Sequence, residues 1–176
     1  DTPGATISSI QAITYRLIEK IEALSDEGNT CLAIELPGQR IGIIVNSCSS
    51  TMKFVQKAAA NLTAYALNSF SINIEIAVGT VVESPLKIHG SYIDAQEALK
   101  YGYFMPEKHL FPACELLSKD KNHEEIPKKL FLEFNTALKT YNFQLAEASL
   151  DKFVELGATG NYSVDYLHKK ILELLH

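Results

Sequence analysis

Ala33-Ile34-Glu35-Leu36-Pro37-Gly38-Gln39-Arg40-Ile41-Gly42-Ile43-Ile44 is the stretch that decides the fold. Two apolar, β-branched runs, 31–36 and 40–45, flank Pro37-Gly38-Gln39. Pro37 presets φ for a turn and Gly38 accepts the positive φ that follows, so the segment reads as a β-hairpin. The second run is apolar on both faces apart from Gly42, which predicts a strand in the middle of a sheet with both sides covered. Working outward toward the N-terminus, Ile7, Ile10, Ile13, Leu17, Ile21 and Leu24 recur at steps of three and four. They mark one face of a helix over 6–24, with Arg16, Glu19, Lys20 and Glu22 opposite and Gly28 as its C-cap.

Outward in the other direction, the polar cluster 46–50 offers hydroxyls to cap a second helix over 51–68. That helix carries Phe54, Val55, Ala58, Leu62, Tyr65 and Ala66 on its buried side. Ile72, Ile74, Ile76 and Val78 then alternate with Asn73, Glu75 and Ala77, a strand signal that ends at Gly79. A third helix spans 87–103, with Ile88, Tyr92, Ala95, Ala98 and Leu99 as its packed face. Beyond Pro106 the pattern changes: an apolar stretch broken by Pro112, a charged loop at 118–123, and helices over 126–141, 143–156 and 162–175. Gly157 and Gly160 separate the last two helices, and this half shows no strand signal. The expected class is α/β (α+β), a helix-flanked sheet over 1–112 and an all-helical extension over 113–176 with antiparallel neighbours.

The 176 residues suit one ordinary domain or a small domain with an appendage, and 47% hydrophobic with 21% charged residues argues against disorder. Lys+Arg 16 against Asp+Glu 21 leaves a net charge of −5. Phosphate neutralisation supplies most of the affinity of a nucleic-acid binder, so direct nucleic-acid binding is not expected. No apolar run reaches a bilayer span and no basic-then-apolar leader opens the chain, so neither a membrane nor an exported fate is expected. Asp1 in place of an initiator Met reads as an internal piece of a longer protein. Cys31, Cys48 and Cys114 are odd in number without CxxC spacing, which fits reduced thiols in the cytoplasm.

Motifs that would carry chemistry fail on inspection. His123-Glu124 lacks the second His of HExxH, since Ile126-Pro127 follows and breaks a helix. The remaining histidines show no ligand spacing, no Gly-rich loop precedes a Lys-Ser/Thr pair, and no G-x-S-x-G elbow is present. Cys48 ahead of a helix has no partner to activate it. Lys119, Lys121, Lys128 and Lys129 are interleaved with acids and read as a solvated helix edge. No catalytic residue, metal site or cofactor is assigned.

The order helix, hairpin, helix, strand, helix resembles the GGDEF (diguanylate cyclase) family, over about residues 5–104. It resembles most closely the degenerate GGDEF-like middle domains of bacterial two-component response regulators that end in an AraC-type helix-turn-helix. Three segments carry the likeness: the hairpin 33–44, the strand Ile74-Glu75-Ile76-Ala77-Val78-Gly79, and Ser91-Tyr92-Ile93-Asp94-Ala95-Gln96-Glu97-Ala98-Leu99-Lys100-Tyr101, close to the degenerate branch's Ser-Tyr-x-x-Ala-x-x-Ala-Leu. In this resemblance the first strand of the domain is missing or truncated, and 113–176 leads toward a DNA-binding module.

An active cyclase places Gly-Gly and then an acidic pair at the hairpin turn, because a dication held against a triphosphate needs anionic oxygens. Here Gln39 and Arg40 stand where the acids would be, and Pro37 replaces the first Gly. The resemblance therefore implies a non-enzymatic domain of a transcriptional regulator, relaying state between a receiver and a helix-turn-helix domain by homodimerisation or helix rearrangement. The alternative is a nucleotide- or metabolite-sensing domain of the same fold, with Gly38, Gln39 and Arg40 as a vestigial ligand site, since Arg forks onto phosphate. A diguanylate cyclase is the reading the residues favour least.

Overall fold

In the computed structural model, which describes residues 7–48, 51–117, 126–159 and 162–174, the hairpin forms where the sequence places it. β1 (Asn29–Leu36) and β2 (Arg40–Ser47) pair antiparallel, from Asn29 opposite Ser47 to Leu36 opposite Arg40. Helix α1 (Ile7–Glu22) buries Leu17 and Ile21 and exposes Arg16, Glu19, Lys20 and Glu22, as its periodicity demands. Helix α2 (Thr51–Phe70) buries Ala59, Leu62 and Ala66, with Phe54, Val55, Ala58 and Tyr65 half-buried beside them. It stops at Ser71, whose φ of 55° ends the helix without a glycine.

Two expectations for this region are corrected. Gly28 does not cap α1; it belongs to a turn in which the Asp26 carboxylate accepts from the Gly28 N–H and the Asn29 side-chain amide, both at 2.8 Å. β2 is not in the middle of a covered sheet. β1 is its pairing partner, and among the described residues no strand lies along its other edge. Residues opposite one another share a face, so Leu32, Ile34 and Ile44 lie together on one side, where Leu32 and Ile34 are 50% and 46% exposed. Cys31, on the other side, is buried. The polar cluster expected to cap α2 includes Ser49 and Ser50, which lie outside the described residues.

The chain divides into two compact units between Ile74 and Glu75. The second unit opens with β3 (Ile76–Val78), shorter than the alternation implied, although the half-buried/exposed alternation does run through 71–75. A 3-10 turn at Pro85–Lys87 leads into α3 (Ile88–Leu99), followed by a further 3-10 turn at Lys100–Phe104. β4 (Leu110–Pro112) then pairs parallel to β3, Ala77 opposite Phe111. The apolar stretch broken by Pro112 is thus a strand that sequence reading missed. Pro112 is tolerated because β4, among the described strands, pairs on one side only, and proline within sheets is confined to such edge strands. The helical stretch between β3 and β4 supplies the crossover that parallel pairing requires.

The helices that follow are α4 (Ala113–Leu116), α5 (Lys128–Lys139), α6 (Phe143–Ala158) and α7 (Val164–Leu174). The Asn142 side chain accepts from the Leu145 N–H at the start of α6, and Ser163 Oγ accepts from Tyr166 N–H at the start of α7. The change of domain expected near residue 112 is not a break in packing. Tyr101, Phe104, Phe111 and Leu116 share one core with Ile126, Phe134, Phe153 and Leu167. Tyr101 Oη donates to the Tyr162 carbonyl at 3.0 Å, and the Tyr166 hydroxyl accepts from the Ile126 N–H at 3.2 Å. Gly157 is also reassigned: it lies inside α6, buried, where a Cβ would stand 2.3 Å from a Phe104 ring carbon. The protein is thus a mixed α+β chain whose described strands form two separate two-stranded sheets. Among the described residues no helix is long and apolar enough to cross a membrane.

Candidate functional site

The sequence singles out the hairpin tip, and the backbone there is unusual. Gly38 has φ 77° and Gln39 φ 58°, so two consecutive residues occupy the left-handed region between Leu36 and Arg40. Gly38 adopts this freely; Gln39 does so at a cost of about 1–2 kcal/mol. Arg40 Nε donates to the Pro37 carbonyl at 3.0 Å, which folds the guanidinium back over the turn. A Cβ on Gly38 would lie 3.7 Å from Arg40 Nε. Gly38, Gln39 and Arg40 are all exposed.

The structure therefore brings the three predicted residues together as one turn, and among the described residues no ion pair joins an acid to Arg40. Glu35, the carboxylate nearest in sequence, pairs across to Ile41 and so points to the face opposite Arg40. A neutral amide and a guanidinium supply no anionic ligand for a dication. They supply N–H donors to an anion, in an open position where water competes and a single contact contributes little. Among the described residues, no three His, Cys, Asp or Glu side chains converge as a metal would need.

At the opposite end of the hairpin a polar knot fixes the strand base. Cys31 N–H donates to Ser25 Oγ at 3.0 Å, Ser47 Oγ donates to the Asn29 side-chain carbonyl at 2.6 Å, and Cys48 N–H donates to the Gly28 carbonyl at 3.0 Å. The hydrogen bonds from Gly28 and Asn29 hold the Asp26 carboxyl below its ordinary value of 3.8. Burial, with the Asp26 charge assisting, pushes the Cys31 thiol above its ordinary 9.0, the reverse of activation. Cys48 and Cys114 are exposed.

Two of the segments quoted above for their family likeness meet in space. Gly79, just past β3, lies so close to α3 that a Cβ there would fall 1.9 Å from the Ser91 carbonyl oxygen. Only glycine allows that approach. Tyr92, expected on the packed face, is instead exposed, its hydroxyl accepting from the Gln96 side-chain amide at 2.9 Å, while Ala98 is fully buried. The lysine edge holds where it is described: Lys129 pairs with Glu133 at 3.5 Å, whereas Lys119 and Lys121 lie outside the described residues. Of the histidines, His168 meets the Tyr103 ring edge-on, and His123 and His176 lie outside the described residues.

Sequence reading passed over a groove of about 480 Å³ between α5 and α7, with Phe131, Leu132, Lys128, Lys139, Lys170 and Glu173 on its walls. Its signal was present in α5: Lys128, Phe131, Leu132, Asn135, Thr136 and Lys139 recur at steps of one, three and four on the side away from Leu130, Phe134 and Ala137. No protein-family model, curated protein or solved structure matches this chain.

Proposed function

We propose that this chain is a non-catalytic relay module of a bacterial transcriptional response regulator, a degenerate GGDEF-like unit carried between a receiver and an AraC-type DNA-binding domain in the cytoplasm. The observation that carries the reading is the turn itself. Pro37-Gly38-Gln39-Arg40 presents an amide and a guanidinium at the point where a nucleotide cyclase must present carboxylates. A dication bridging triphosphate oxygens requires hard anionic ligands, and a fixed positive charge at the same point repels it. The close approach of Gly79 to Ser91 supports the reading from a second direction, because it joins the strand and the helix whose sequences carry the family resemblance. In this role the unit passes on a conformational or association state, and its chemistry is confined to packing.

The test is product formation. The full 176-residue chain incubated with GTP and Mg²⁺ or Mn²⁺ is expected to yield no cyclic dinucleotide, and product that disappears on substitution within 37–40 would overturn the assignment. A second reading, a nucleotide- or metabolite-binding unit without turnover, is favoured by one observation. Arg40, anchored through Nε to Pro37, keeps its guanidinium at the exposed tip. Thermal stabilisation by guanine nucleotides that rises with ligand concentration and vanishes in Arg40→Ala would move the function to that reading. The parent chain is expected to show no shift. A receiver upstream and paired recognition helices downstream in the full-length gene product would support the relay.

A further inference from the structure

The groove between α5 and α7 and the outer face of α6 are chemical opposites. The groove has Phe131 and Leu132 on its apolar wall, Leu132 being 67% exposed, and Lys128, Lys139 and Lys170 along its rim. Among the described lining residues Glu173 is the one acid, and it is held by Lys170 at 2.6 Å. Lys170 is itself fixed, its ammonium lying 5.8 Å from the Phe131 ring centroid and 5.6 Å from that of Tyr166. A rim of three lysines runs against the composition of a chain in which acids outnumber bases 21 to 16.

The buried side of α6 holds Ala146, Ser149, Phe153 and Gly157. Its outer side presents Phe143, 68% exposed, with exposed Leu150 and Val154, a ridge at steps of seven and four. Glu147, Asp151 and Glu155, all exposed, run beside that ridge at steps of four. At 1.5 Å per residue the acidic row is about 12 Å long and the Lys128–Lys139 span about 16 Å, so one covers most of the other.

We propose that a second copy of this chain lays the outer face of its α6 in the α5/α7 groove, with Phe143, Leu150 and Val154 against Phe131 and Leu132 and its acidic row against the lysine rim. This is helix-in-groove recognition with an amphipathic helix already folded, so little ordering entropy opposes it. The contact rests on the helical region alone and does not depend on the relay role proposed above.

Sedimentation velocity and light scattering on the full chain test it. The mass average is expected to rise above 19.5 kDa with concentration and to fall back as salt is added. Lys139→Glu and Asp151→Lys, both at exposed positions, are each expected to return the chain to monomer with an unchanged far-UV circular dichroism spectrum. Mixing the two variants is expected to restore association, because the acidic α6 of the first meets the basic groove of the second. A chain that stays monomeric throughout, variants that associate as well as the parent, or a mixture that fails to associate would each overturn the proposal.

Discussion

From residue 7 to 74 the buried apolar side chains among the described residues are Leu17, Ile21, Cys31, Ala59, Leu62 and Ala66, none of them aromatic. From residue 75 onward, fifteen such residues form one cluster that includes Tyr101, Phe104, Phe111, Phe134, Phe153 and Tyr162. Burial stabilises in proportion to the apolar area removed from water, and aromatic rings bury the most per residue. The N-terminal unit meanwhile leaves Leu32 and Ile34 in water and rests on a two-stranded sheet, which has little stability without cover on a face. The comparison teaches that apolar content alone does not make a core. β2 carries Ile41, Ile43, Ile44 and Val45, yet no described strand lies along its other edge, whereas the three-residue β3 and β4 sit beside a densely filled helical cluster.

The contrast is broken most directly at Phe153. Phe153→Ala should lower stability by about 3–5 kcal/mol in chemical denaturation, with the loss of hydrogen-exchange protection concentrated after residue 75. Equal loss in β1 and β2 would mean that the two units unfold together. Next in size is Gly157→Ala, which drives a methyl into the Phe104 ring and should cost about 1–3 kcal/mol, with recovery when Phe104 is also reduced to Leu. A silent Gly157→Ala would show that this core has slack.

The hairpin supplies the smaller effects. Gly38→Val at φ 77° should cost about 1–2 kcal/mol and raise amide exchange across 29–47 while sparing the aromatic cluster. Gln39→Gly should return less than about 1 kcal/mol, because the relief of the φ of 58° is partly offset by the greater freedom of glycine in the unfolded chain. Smallest is the acid limb at Asp26. Its folded-state carboxyl is held low by the Gly28 and Asn29 donors, so the ionised form favours the fold. That contribution is present above the unfolded value of about 3.9 and fades as pH falls through the lowered folded value. Asp26→Asn should therefore flatten the pH dependence of exchange at the hairpin base below about pH 4, with little change at neutral pH.

Much of this architecture was legible from residue order. α1, α2, α5, α6 and α7 follow steps of three and four, and the placement of Pro37-Gly38 gave both the hairpin and the positive φ at Gly38. The left-handed Gln39 was not legible, since glutamine carries no signal for that conformation. Gly28 and Gly157 were misread for one reason: a glycine marks either a backbone turn or a close approach, and residue order does not say which. β4 escaped because three residues are too few to show a period and because its partner, β3, lies thirty-odd residues earlier. That Gly38, Gln39 and Arg40 fall in one hairpin turn was legible, while the lysine-lined groove went unread because it needs α7 beside α5.

Local chemistry thus determined the elements of this protein: helix faces by periodicity, the hairpin by Pro-Gly, and the absence of acids at its tip by residue identity. Tertiary structure decided what those elements meet. It set Gly157 under Phe104, Gly79 against Ser91, Phe111 in the same core as Phe153, and β2 with β1 as its one partner among the described strands. The physical reason is one of range. Backbone preference and periodicity act over a few residues, but burial and steric exclusion depend on groups far apart in sequence, whose proximity no local pattern encodes.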